Sequence, residues 1–483
     1  MDAKAAVERR GRPGWTLALT SVAFFMVALD ALVVTTALPA IHREVGGSLS
    51  TLEWVVNAYL LTFAAGIITA ASLGDRLGRR RMYVVGLALF TAASAACALA
   101  PTAASLIVAR ALQGVGGALV TPLSLTILTS AFPPERRGSV LGIWGAIGGL
   151  AVATGPLVGG AVTQGLNWHW IFWVNVPIGL VAAVLSSRRL AESRGPASRL
   201  DLPGATLITA ASVALAWGLV RASDAGWASP EAAGSLCLGI LLLAGFAIWE
   251  RRTAHPMLPL RLFRNRSFAA ANAAGFLMTA AIIAAAFLVS QYFQLARGDS
   301  PLSTGLRFLP WTATPLLVAP LAGALSDRVG RRSLMVVGLV MQAVGLAWFA
   351  LLATGGVGYG QLVLPLVVAG VGISMAIPTT TAAALNAVAA ADLGRAAGVA
   401  NSLQRFGGVF GVAAASAVFA INGHLSSPVA VIAGFRPALM VAASFSLLGA
   451  VCALAVGSRS PAPAAGRLES MVVATRGRIS EPG

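Results

Sequence analysis

Apolar residues fill this chain in runs of about 20, broken by short polar segments, from near the N-terminus almost to the end. A helix rises 1.5 Å per residue, so a run of about 20 crosses a hydrocarbon core about 30 Å thick. Fourteen membrane-spanning helices are predicted on this basis: 15–39, 52–74, 82–100, 104–130, 139–164, 169–187, 201–221, 231–249, 267–293, 307–326, 333–353, 360–388, 397–421 and 435–457. The expected fold class is therefore an all-α membrane protein. Composition removes the soluble alternative, because 57% of the residues are hydrophobic and only 11% charged.

Charge sets the orientation. A net charge of +17 raises the possibility of nucleic acid as a partner, but a nucleic-acid surface gathers its basic residues on one face or tail. Here Arg43, Arg221, Arg297, Arg307 and Arg436 fall in one set of alternate loops, and Arg110 and Arg405 fall within spans. Every other basic residue falls in the opposite set, which by the positive-inside rule is cytoplasmic. Both termini are then cytoplasmic, as an even number of spans requires, and nucleic acid is not a partner. The first run follows Arg9, Arg10 and Arg12 like a signal peptide, but thirteen further runs make it a retained anchor. Cys97, Cys237 and Cys452 lie within predicted helices, and His42, His169, His255 and His424 are scattered, so no disulfide framework or metal site is expected. No phosphate-binding loop is present, and no enzyme site, metal or cofactor is expected. Lys4 is the only lysine, the usage of a GC-rich bacterial genome, which places the protein in a bacterial inner membrane.

The chain also repeats itself. "ASLGDRLGRRRMYVVG" (71–86) matches "GALSDRVGRRSLMVVG" (323–338) at nine of sixteen positions without a gap, each time after an apolar span. Repeated halves with a site at their interface are the architecture of secondary transporters. The expected organisation is a cytoplasmic N-terminus (1–14), a six-helix bundle (15–187), a basic linker (188–200), two inserted helices (201–249), a second linker (250–266), a second six-helix bundle (267–457) and a disordered cytoplasmic tail (458–483).

Polar residues inside apolar runs are costly and mark function by default. Asp30, in "FMVALDALVVTTALP", lies about 8 Å below the outer edge of the core when counted from Trp15, and Arg110 lies about 9 Å deep from the same side. An apolar setting favours the protonated form of a carboxylate and a nearby arginine the ionised form. A movement that parts Asp30 from Arg110 would thus couple protonation to conformation; a permanent ion pair tying two helices together is the alternative. Arg405 is a second buried charge, which could meet carbonyls, contact substrate or reach the cytoplasmic side. Asn57, Tyr59, Trp144, Gln291, Tyr292, Asn401 and Gln404 are, with Arg405, the candidate substrate contacts in a pocket between the halves.

Four stretches taken in order resemble the major facilitator superfamily, within it the fourteen-helix drug/proton antiporters: "LDALVVTTALPAI" (29–41), "LGDRLGRRR" (73–81), "RALQGVGGA" (110–118) and "GIWGAIGGLAVATGPLVGG" (142–160). Ala71 and Ala151 depart from the usual glycines but stay small. The resemblance implies a conformational latch at Asp75, Arg76, Gly78, Arg79 and Arg80, repeated at Asp327, Arg328, Gly330, Arg331 and Arg332. It implies a helix 4 motif at Arg110, Gln113, Gly114 and Gly117, and an antiporter motif at Gly142, Gly155, Pro156, Gly159 and Gly160. It also implies export of amphipathic drugs or antibiotics against protons, driven by the proton gradient, by a monomer in the lipid bilayer. Export of an endogenous metabolite or lipid, uptake by symport and a non-transporting receptor or scaffold remain the alternatives.

Overall fold

The computed structural model describes residues 13–46, 49–195, 201–226, 228–253, 256, 260–389 and 392–457. Residues 1–12 of the expected N-terminal segment, parts of both linkers and the expected tail from 458 lie outside the described residues. The described residues form helices in chain order: α1 (Pro13–Val45), α2 (Leu49–Leu77), α3 (Arg79–Ala98), α4 (Ala103–Ala131), α5 (Pro134–Gly165), α6 (Trp170–Trp173), α7 (Asn175–Arg189), α8 (Leu202–Ala225) and α9 (Pro230–Arg252). A short 3-10 turn (Leu260–Arg264) leads into α10 (Arg266–Gln291), which ends in a π turn (Tyr292–Ala296). Then follow α11 (Pro301–Thr312), α12 (Thr314–Val329), α13 (Arg331–Leu352), α14 (Tyr359–Asn386), α15 (Leu393–Asn422) and α16 (Pro428–Leu454).

Local chemistry sets many of these limits. Serine–proline pairs open α9, α11 and α16: the hydroxyls of Ser229, Ser300 and Ser427 accept from the N–H three residues on. The proline behind each serine takes the position where no N–H is needed. Gly78 and Gly330 stand at equivalent places in the repeat and have φ of 112° and 91°, a backbone that side chains with a Cβ resist. Both halves thus turn from one helix into the next through the same glycine geometry.

Among the described residues, eleven helices are long and apolar enough to cross a membrane, and α2 makes twelve if its parts Thr51–Ile67 and Thr69–Leu77, which meet at 50°, count as one span. Of the fourteen expected spans, 307–326 and 201–221 are the two outside that count. The expected span 307–326 is broken between α11 and α12, where Pro315 cannot supply the N–H that a continuous helix needs. The expected span 201–221 lies within one helix, α8, which runs from Leu202 to Ala225.

Helices α1 to α7 pack on one another, and so do α10 to α16. α8 and α9 pair together, and α8 lies against α2 and α15, with its Trp217 5.6 Å from Trp54 of α2. The two groups of helices are joined by hydrogen bonds and backbone contacts toward one end, the outer one in the expected orientation. Pro39 lacks the N–H that would bond the Thr35 carbonyl, and that carbonyl accepts instead from the Ser290 hydroxyl of α10 at 2.7 Å. Gln294 donates to the next carbonyl, Thr36, at 2.7 Å. Thr312 of α11 donates at 3.0 Å to the Ala153 carbonyl of α5, three residues before Pro156. A Cβ on Gly160 would fall 2.1 Å from the Pro301 carbonyl oxygen, and one on Gly305 would fall 2.5 Å from that of Pro156. These backbones are in direct contact.

Candidate functional site

Asp30 and Arg110 meet in the interior of the first group of helices, each 1% exposed. Arg110 Nη1 donates to Asp30 Oδ2 at 2.5 Å and to Gln113 Oε1 at 2.7 Å, and its Nε donates to the Val55 carbonyl at 3.1 Å. The guanidinium carbon stands 4.3 Å from the ring centroid of Tyr59, whose hydroxyl donates to the Val27 carbonyl. The other carboxylate oxygen of Asp30 accepts from Gln113 Nε2 at 2.8 Å and from Asn175 Nδ2 at 3.0 Å. Ser94 accepts from both of these amides and donates to the Phe172 carbonyl, while the Cys97 thiol donates to Gln113 Oε1.

Helical spacing assembles this cluster. Arg110 and Gln113, three apart on α4, share one face, and so do Ser94 and Cys97 on α3. Gly114 lets α4 approach: a Cβ there would fall 2.4 Å from the Tyr59 carbonyl oxygen of α2, and one on Gly117 would fall 2.8 Å from the Phe63 ring. Every donor aimed at Asp30 suits an ionised carboxylate. Arg110 has five donors and no acceptor, so it offers no partner to a proton on Oδ2. Sequence reasoning anticipated Asp30, Arg110 and Gln113 and missed Asn175 and Ser94; both are polar residues within predicted spans, the same signal that singled out Asn57.

The loop motif docks on the segment after α7. Arg79 donates to Asp75 Oδ1 at 2.8 Å, its N–H bonds the Ser193 carbonyl, and the Gly195 N–H bonds the Asp75 carbonyl. Glu192 receives the N–H groups of Arg80 (3.0 Å) and Arg81 (3.3 Å) at the start of α3, where a carboxylate also meets the positive end of the helix. Arg80 donates to the Leu190 carbonyl, and Arg76 is exposed. In the second copy Arg332 is half-buried, and the side chains of Asp327 and Arg328 lie outside the described residues.

In the α5 motif, a Cβ on Gly155 would fall 2.9 Å from Leu32 and one on Gly159 2.5 Å from the Val33 carbonyl, so both carry α5 against α1. Gly160 and Pro156 contact α11, as above, and Gly142 faces open space.

The candidate substrate contacts are not brought into one pocket. Tyr59 belongs to the Asp30 cluster. Asn57 and Gln291 are buried with amides that make no hydrogen bond. Trp144 stacks on Phe24 at 3.8 Å, and Tyr292 stacks on Phe435 and donates to the Thr354 carbonyl. Asn401 is exposed and bonds its own helix at Ala397, Gln404 lies against Gly275, and the Arg405 guanidinium stands 4.4 Å from the Phe63 ring centroid. A separate cavity of about 420 Å³ opens between α2, α8, α9, α10 and α15, lined by apolar groups such as Leu61, Leu215, Phe246, Phe406 and Phe410. Sequence could not single it out, because its Leu, Val and Phe residues resemble any others that face lipid or core.

The chain matches the sequence pattern of the Major Facilitator Superfamily over residues 20–311 and 268–475. It is 36% identical over 406 residues to the tetracenomycin C resistance and export protein of Streptomyces glaucescens, covering 84% of this chain and 75% of that protein. It is 35% identical over 441 residues to a cephamycin export protein of Amycolatopsis lactamdurans, covering 90% of each. Its fold is similar to that of a peptide transporter crystallised with sulfate, with a TM-score of 0.67 at 19% identity, covering 92% of this chain and 96% of that one.

Proposed function

Starting from the fact that the chain belongs to the Major Facilitator Superfamily, and so is a multi-pass membrane protein, we propose that it exports amphipathic drugs or antibiotics in exchange for protons by alternating access. The observation that carries this reading is the buried Asp30–Arg110 pair, built for an ionised carboxylate and placed in a protein whose expected outer end is closed. The names of the two relatives support export as the direction.

In the proposed cycle, a proton from outside neutralises Asp30. The ion pair is lost, and the hydroxyl of the neutral acid has no acceptor on the Arg110 side. Arg110 keeps the Val55 carbonyl, Gln113 Oε1 and the Tyr59 ring, so its charge is not stranded when Asp30 withdraws. α1, which carries Asp30, also carries Thr35 and Thr36 at the closed end, so a shift of Asp30 reaches the contact between the halves. Return of the proton to the cytoplasm restores the pair as substrate is taken up. The loop motif, fixed by Asp75, Arg79 and Glu192, holds α2, α3 and the segment after α7 as one cytoplasmic unit during this movement.

In this reading α8 and α9 are two inserted helices among fourteen spans, both termini face the cytoplasm of a bacterium, and the monomer needs no cofactor beyond the proton gradient. The test is substrate-driven proton movement in proteoliposomes. Wild type should move protons when a transported drug is added, and Asp30→Asn should bind the drug but fail to couple it to a pH gradient. Normal coupling by the variant would overturn the assignment.

A further inference from the structure

Arg110 and Arg405 are both arginines within apolar helices, and they are held in different ways. Arg110 has a carboxylate, an amide oxygen and a backbone carbonyl on its donors. Arg405, among the described residues, has neither hydrogen bond nor ion pair; its contact is the face of Phe63, 4.4 Å away on the opposite group of helices. A ring face attracts the charge but accepts none of the guanidinium's five N–H groups in the way an oxygen does. Arg405 lies about 18 Å along α15 from Leu393, too far for one side chain to reach the helix start. Snorkelling to the cytoplasmic surface does not resolve its charge.

Arg405 is half-buried, and Asn401, one turn earlier on the same face of α15, is exposed. What is missing is an acceptor, and the planar fork of arginine fits a carboxylate with two parallel hydrogen bonds.

We propose that Arg405 receives an acidic group of the exported molecule, so that the preferred substrates are amphipathic carboxylic acids. This rests on the export reading above and narrows it to a chemical class. The position also places the substrate's charge next to the proton site. Phe63 lies 5.7 Å from the Tyr59 ring, and Tyr59 carries Arg110 on its face, so an acid bound at Arg405 is two rings from the Asp30–Arg110 pair.

Fluorescein and rhodamine 123 share a three-ring frame, but the first carries a free carboxylate and the second is a cationic methyl ester. Binding of both dyes to the purified full-length protein, read by fluorescence polarisation, should favour fluorescein. Arg405→Gln should weaken fluorescein by about tenfold or more and leave rhodamine 123 unchanged or tighter. Arg405→Lys, which keeps charge and loses the fork, should fall between the two and serves as the test if the glutamine variant does not fold. Equal loss for both dyes, or no loss for fluorescein, would overturn the proposal. Efflux by wild-type proteoliposomes separates the two levels of inference: export of rhodamine 123 without fluorescein refutes the acid site and leaves drug export standing, whereas movement of neither dye counts against both.

Discussion

Removing either partner of the Asp30–Arg110 pair should cost far more than removing both. Arg110→Gln leaves Asp30 with the two amide donors on one oxygen and nothing on the other. Asp30→Asn leaves a buried guanidinium facing an amide that offers at most one acceptor. Breaking a buried pair in this way typically costs about 3–5 kcal/mol, while replacing both charges by neutral groups of similar shape is often close to neutral. Arg110 retains the Val55 carbonyl, Gln113 and the Tyr59 ring, so Asp30→Asn should lie near the lower end, about 3 kcal/mol. The double variant Asp30→Asn/Arg110→Gln should then be less destabilised than either single variant, falling short of the sum of the single changes by about 5 kcal/mol or more. The assay is a double-mutant cycle of unfolding in detergent, with proton flux measured on the same preparations. Recovered stability with absent proton coupling is the expected outcome. Additive destabilisation would refute the view of the cluster as one charge-balanced unit, and proton coupling in the double variant would refute the role of Asp30.

Three further outcomes are expected. Gly160→Val would drive a side chain into the Pro301 carbonyl, so the variant should expose the outer seam to a thiol reagent at Ser290→Cys and lose export; unchanged labelling with normal export would count against closure at this contact. Glu192→Gln removes the charge that caps α3 and should loosen residues 73–81 by about 1 kcal/mol, seen as faster backbone hydrogen exchange there and not in the second repeat. Gly330→Ala meets nothing within 4 Å and should cost about 1 kcal/mol from its positive φ alone, whereas Gly78→Ala also strikes Glu192 at 2.9 Å and should cost more; equal losses would show that the crowding is absorbed.

The spans and the central pair were legible because their signals are strong. A run of about 20 apolar residues has few other uses, and a carboxylate and an arginine at equal depth have few other partners. Asn175 and Ser94 were less visible because uncharged polar side chains can be satisfied by their own helix, so sequence alone does not say which reach a neighbour. Glu192 was hidden in a linker read for its arginines. The break between α11 and α12 shows the limit of hydropathy, since Pro315 changes continuity without changing apolarity. The substrate candidates were chosen because they are polar within spans, but that property does not fix the side of a helix on which a residue falls. Trp144 and Tyr292 found aromatic neighbours instead, and the cavity beside α8 and α9 formed from residues with no distinguishing chemistry.

Pro39 leaves the Thr35 carbonyl without its own helix's N–H, and Ser290 of the other half supplies the missing donor. Parting the halves at that end would leave this oxygen bare in an apolar setting, so separation cannot proceed dry. Water has to arrive as Ser290 departs. Opening of this gate is therefore a wetting event as much as a rigid rotation, and its rate should fall when osmolytes lower the activity of water.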